Sequence, residues 1–102
     1  MAKSKLQEWI KEYDGGVKNH GEPNTWDVTL VTDMSYLFHE NKTFNAPIDK
    51  WDVSNVTNMA GMFAHATSFN QEIGMWKIAQ ANIDHMFEGA KAHALCTSEE
   101  FG

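Results

Sequence analysis

Apolar residues recur along this chain in two modes. Trp26-x-Val28, Trp51-x-Val53 and Trp76-x-Ile78 are apolar at every second position, the period of a half-buried strand. Eight residues after Trp51, a second mode begins: Met59, Met62, Phe63 and Ala66 fall at i, i+3, i+4 and i+7, one face of a short helix. Thr32 and Thr57 stand before the two copies of that run as N-cap residues. Phe69-Asn70 then leads the chain toward the next alternating stretch. Near the N-terminus, Leu6, Trp9, Ile10 and Tyr13 show the same helical spacing and predict an amphipathic helix over 4–14. Ser4 is placed to cap its start and Gly15-Gly16 to end it.

The two modes belong to one repeating unit. Laid over 51–75, residues 26–50 match at ten positions without a gap, among them Trp26/Trp51, Asp27/Asp52, Met34/Met59, Phe38/Phe63 and Asn45/Asn70. A degraded third copy starts at Trp76. One residue is missing from it, so Ile83, Met86, Phe87 and Ala90 take the places of Met59, Met62, Phe63 and Ala66, and His93 replaces Phe69. No copy can bury its apolar face alone, whereas copies set on one another bury Trp on Trp and Phe on Phe.

The expected fold is therefore α/β: a short leucine-rich-repeat-like solenoid of about three 25-residue repeats with an N-terminal capping helix. Parallel strands are expected near 25–28, 50–53 and 75–78, with a helical turn after each. The whole chain, 1–102, is one repeat domain: cap helix 4–14, repeats 26–50, 51–75 and 76–95, tail 96–102. At the C-terminal end no matching cap is visible, which leaves an edge open to association.

The stretch FNAPIDKWDVSNVTNMAGMFAHATSFNQEI resembles the BspA-like leucine-rich repeat family, whose repeats carry Trp-Asp-Val-Ser-x-Val-Thr-x-Met-x-x-Met-Phe and Phe-Asn-x-x-Ile. The likeness covers about 26–90. It implies a solenoid, adhesion or protein binding, and, for most members, a cell-surface location. It implies no catalytic residues.

Composition narrows the function further. Of 102 residues 22% are charged, and the formal net charge is −6, which disfavours nucleic acid and anionic membrane surfaces. The start has no apolar run of a secretory leader, and no run approaches the ~18 residues that span a bilayer. The chain as written reads as intracellular, without membrane insertion. The single cysteine, Cys96, cannot form an internal disulfide.

Candidate chemistry is sparse. The histidines His20, His39, His65, His85 and His93 do not share a column when the copies are aligned, and no zinc-ligand spacing is present. Asp27 and Asp52 recur in register on the outward side. Calcium between them is one reading; local bonds to Thr29, Ser54 and backbone amides are the favoured one. Asn45 and Asn70 read as structural, bonding the backbone of the next copy. No cofactor and no metal are expected, and no nucleophile, phosphate loop or dinucleotide motif is found.

Repetition without a recurring catalytic set points to a non-catalytic protein-interaction module or a small structural subunit of a larger assembly, with a protein partner. Its expected contact strip is the outward column Thr25, Asp27, Thr29, Lys50, Asp52, Ser54, Met75 and Lys77, continued by Ala79. A second expected surface is the C-terminal face, with Trp76, Ile83, Met86, Phe87 and Leu95. An adhesin-like surface protein binding glycans or host proteins is the second reading, and a small enzyme the third.

Overall fold

The computed structural model describes residues 1–90. Within them lie one α-helix, α1 (Lys3–Asp14), one short 3-10 turn (Pro23–Thr25) and two isolated parallel bridges, Asp33 to Asn58 and Asn58 to Asn82. This corrects the α/β expectation. None of the strands expected near 25–28, 50–53 and 75–78 forms, nor does a helical turn follow each; among the described residues the chain is not a leucine-rich-repeat solenoid of the α/β class. What replaces those elements is a succession of tight turns.

The destination of each backbone amide explains the substitution. In an α-helix every amide donates four residues back. Here alternate amides divide between two tasks. Leu37, His39 and Asn41 donate three residues back, to Met34, Tyr36 and Phe38. Met34, Tyr36, Phe38 and Glu40 instead donate out of their own copy, to the carbonyls of Asn58, Ala60, Met62 and Ala64 at 2.8–2.9 Å. The pattern repeats one copy on: Met59, Gly61, Phe63 and His65 donate to Asn82, Asp84, Met86 and Glu88 at 2.7–2.9 Å. Apolar spacing of three and four residues serves this arrangement as well as a helix, because side chains three apart across a tight turn also face one way.

Left-handed residues make the alternation possible. Tyr36, Glu40, His65 and His85 all sit at φ 57°, with Gly61 at 62° and Gly89 at 67°. These fall in two columns, Tyr36/Gly61/His85 and Glu40/His65/Gly89. A positive φ every fourth residue stops an α-helix from propagating. The Thr32 and Thr57 caps have no helix to start; the Thr57 amide donates to the Thr32 carbonyl at 2.8 Å. Each turn segment is opened by an Asx residue. Asp33, Asn58 and Asn82 accept from the amides two residues on, Ser35, Ala60 and Asp84, at 2.8–3.0 Å.

Aromatic side chains fill the interior in columns. Trp51 lies between Trp26 and Trp76 with centroids 6.4 and 6.3 Å away. Phe63 lies between Phe38 and Phe87, at 5.3 and 5.5 Å with nearly parallel planes. Two indole N–H groups reach carbonyls 28 residues back: Trp51 Nε1 donates to Pro23 at 2.6 Å and Trp76 Nε1 to Ile48 at 3.1 Å. Asn45 Oδ1 accepts from the Asn70 amide at 2.8 Å, so on this side polar side chains supply the links that a strand ladder was expected to make.

α1 closes one end. Leu6 and Ile10 are buried, Trp9 and Tyr13 meet Trp26 edge-on at 5.4 and 6.4 Å, and Lys3 Nζ reaches Ser35 Oγ at 3.0 Å and Asp33 at 3.6 Å. Ser4 does not cap α1: the N-cap is Ala2 and makes no side-chain bond. The C-terminus does end on the glycine pair. The amides of Gly16 and Val17 return to Tyr13 and Glu12, and Gly16 takes φ 89°, the paired closure of a Schellman turn.

Candidate functional site

The outward strip keeps its predicted in-out alternation although no strand carries it. Thr25, Asp27, Lys50, Asp52, Ser54, Met75, Lys77 and Ala79 are exposed and Thr29 is half-buried, while the intervening Trp26, Val28, Trp51, Val53, Trp76 and Ile78 are buried. The order comes from turns stacked on a Trp and Val interior. Trp51 and Trp76 donate their amides to Ile48 and Ile73, and Val56 donates to Val53; each reversal presents one short polar run to solvent.

Local bonds hold the polar side chains of the strip. Asp27 Oδ1 accepts from the Thr29 hydroxyl at 2.6 Å and the Thr29 amide at 3.0 Å. Asp52 repeats this with Ser54, at 2.6 and 3.0 Å. These bonds, the hydroxyl's first, hold both carboxyls below the ordinary aspartate range. Asp27 pushes Asp52 slightly the other way by like charge, and Lys77 offsets it. Thr25 Oγ1 donates to the Glu22 carbonyl at 2.7 Å, and the Lys50 amide to Asn24 Oδ1 at 2.8 Å.

Between the second and third copies the strip dips into an open cleft of about 150 Å³, lined by Asp49, Trp51, Asp52, Val53, Ser54, Met75, Trp76 and Lys77. The structure thus brings Asp52, Ser54, Met75 and Lys77 together, with Asp49 as a neighbour that the in-out pattern did not single out. Thr25, Asp27, Thr29 and Lys50 do not line the cleft. Met75 is 80% exposed at its rim, in the column position that Thr25 and Lys50 fill in the other copies.

The expected C-terminal face divides. Trp76 and Met86 are buried, so they support that face from beneath and do not form its surface. Ile83 and Phe87 are half-buried, where their counterparts Met59 and Phe63 are fully buried. Leu95 lies outside the described residues, as do His93 and Cys96.

Histidines gather along the turn edge in a way that column alignment missed. His39 and His65 approach to 6.3 Å between rings. His65 and His85 flank Glu88 at 3.9 and 3.2 Å, and His39 lies 4.0 Å from Glu40. His39 and His65 are diagonal neighbours, because His39 is in register with Ala64 and His65 stands one residue on. His20 stands apart, stacked on Trp9 at 3.9 Å and 3.3 Å from Glu12. Among the described residues no group of three or more His, Cys, Asp and Glu side chains is placed to hold a metal ion. No helix among them is long and apolar enough to cross a membrane.

Comparison with known proteins places the repeat differently from the resemblance drawn on its Trp-Asp-Val and Met-Phe motifs. No curated protein and no solved structure matches the chain. Residues 4–98 match a family described as "Mycoplasma protein of unknown function, DUF285", and no BspA-like leucine-rich repeat family is shown, so that assignment is corrected. The match takes in α1 from Ser4 onward, all three copies and the cleft, and on it the chain belongs to the DUF285 family.

Proposed function

We propose that this chain is a non-catalytic protein-interaction module, acting as a small subunit or peripheral component of a larger assembly, and that its outward strip contacts a protein partner at the Met75 cleft. The observation that carries the reading is the rim itself. A long apolar side chain stands 80% exposed between Lys77 and the carboxylates Asp49 and Asp52, over an open cleft of about 150 Å³. Pockets that enclose small substrates run to roughly 300–1,000 Å³; this one has room for a protruding side chain of a partner. Anchoring Met and aromatic residues ringed by charge are the usual composition of a protein contact. The local bonds of Asp52 and Ser54 lower the ordering cost of binding, because that part of the rim is already held.

The test is affinity purification of the tagged native protein with identification of co-purifying chains, followed by Met75→Asp and Lys77→Glu. Both side chains are exposed, so both variants fold. The reading expects retention of the specific partner to fall by roughly tenfold or more. A partner retained equally by the parent and both variants would remove the strip as the contact.

A further inference from the structure

The cleft carries a protruding side chain and two opposite charges on its own rim. Asp49 belongs to the second copy and precedes Trp51 by two residues; Lys77 belongs to the third copy and follows Trp76. With Trp51 and Trp76 stacked at 6.3 Å, these two charges lie diagonally across the opening. Both are exposed, and Asp49 Oδ1 accepts from Asn24 Nδ2 at 2.9 Å. The floor is apolar, built from the buried Trp51, Val53 and Trp76. Met34, Met59, Met62 and Met86 are buried in the interior, whereas Met75 is 80% exposed. Asp49, Lys50, Asp52 and Lys77 supply two carboxylates and two ammonium groups, so this patch is neutral on a chain whose formal net charge is −6.

We propose that the cleft is filled by Met75 of a second copy of this chain, in a two-fold pair that sets Lys77 of each copy against Asp49 of the other. This deepens the interaction reading and rests on it, naming the partner. A two-fold axis through the cleft exchanges its diagonal corners, so the cation of one copy meets the carboxylate of the other, twice. The occupant that the cleft calls for is an exposed apolar side chain with a cation at one corner and a carboxylate at the opposite one. The rim is itself such a group, which is the self-complementarity that a two-fold contact requires. Methionine suits the insertion, because its unbranched chain and polarisable sulfur fill irregular gaps. Two chains of charge −6 repel at a distance, but at about 0.15 M salt that repulsion fades beyond ~8 Å, and the neutral patch adds none at the contact. A contact confined to one strip falls in the small, transient class of interfaces, so the pair forms and separates with concentration.

Sedimentation equilibrium of the full chain, from about 1 µM to about 1 mM in about 0.15 M salt, reads the pair. The expected result is a monomer–dimer equilibrium that Met75→Asp weakens roughly tenfold or more. Lys77→Glu and Asp49→Lys each set like charges together at two places and weaken it similarly. Mixed one to one, those two variants should pair again, to within about threefold of the parent, because both contacts of the mixed pair join opposite charges. With one variant ¹⁵N-labelled, native mass spectrometry separates mixed from like pairs, and circular dichroism first confirms that each variant is folded. Three outcomes overturn the proposal: a parent that stays monomeric to about 1 mM, self-association that all three variants keep, or folded variants that do not pair when mixed. If the parent is monomeric and Met75→Asp still releases a different co-purifying chain, the cleft contact stands with another occupant. The cleft reading itself fails when neither self-association nor a co-purifying chain responds to Met75→Asp.

Discussion

Replacing Gly61 with alanine distinguishes stacked turns from a helix by the sign of the effect. Inside a helix the change stabilises by about 1 kcal/mol, because alanine is the better helix former. In the structure Gly61 holds φ 62°, where an L-residue costs roughly 1–2 kcal/mol. The added Cβ would also stand 2.4 Å from Tyr36 Cε1 and 2.6 Å from Cδ1. Tyr36 is 58% exposed, so its ring can swing aside, at the loss of a contact worth about 0.5–1 kcal/mol. The sum predicts destabilisation by roughly 1.5–3 kcal/mol, or several degrees in Tm for a domain of this size. Urea unfolding followed by tryptophan fluorescence measures it, with unchanged slope as the check that only stability moved. Tyr36→Ala in the same background should recover the contact part and leave the backbone part. A Gly61→Ala variant as stable as the parent, or more so, refutes the left-handed turn and with it the alternation of amides.

Other expectations follow from the same geometry. Trp51→Ala should cost about 3–5 kcal/mol for the emptied aromatic site and leaves the Pro23 carbonyl without its indole donor; Trp51→Phe should cost less, and a variant melting within a degree or two of the parent would remove the stacked-column reading. Glu40→Gly, at φ 57°, should stabilise by up to about 1 kcal/mol in the same urea assay, and a loss there would mean that the Glu40 side chain matters more than its backbone. Asp27 and Asp52 have lowered folded values, so their stabilisation is whole above the ordinary aspartate value of 3.8 and fades as pH falls through the folded ones. The double variant Asp27→Asn/Asp52→Asn keeps the acceptor oxygens and should lose less stability than the parent on acidification below pH 3.8; equal acid slopes would contradict the bonds to Thr29 and Ser54. EDTA should leave Tm unchanged, and a sharp drop would direct attention to His39, His65, His85 and Glu88.

The side-chain pattern carried the interior better than the backbone. Alternation at 25–29, 50–54 and 75–79 correctly separated outward polar residues from buried Trp and Val, because burial follows the period whether or not strands pair. Met59, Met62, Phe63 and Ala66 are all buried as their spacing implied, yet the helix drawn from that spacing is absent. Periodicity reports which way side chains face and says nothing of where amides donate. The contrary signs were local: Gly61 and Gly89 inside the supposed helix, and an Asx residue opening the turn segment of each copy at Asp33, Asn58 and Asn82. At the candidate site, Asp52, Ser54, Met75 and Lys77 were legible as one outward column, but the cleft between copies depends on how Trp76 seats against Trp51, a distance that sequence spacing does not contain. The diagonal approach of His39 to His65 was hidden for a similar reason, since a column alignment compares residues in register only.

The central claim is that alternate amides leave their own copy to bind the next. Scalar couplings across hydrogen bonds in ¹³C,¹⁵N-labelled protein report that directly, because each coupling names both donor and acceptor. The account predicts couplings from the Phe38 amide to the Met62 carbonyl and from the Phe63 amide to the Met86 carbonyl, bonds of 2.8 and 2.9 Å. Couplings from Phe38 to Met34 and from Phe63 to Met59, the four-residue step of an α-helix, would contradict it.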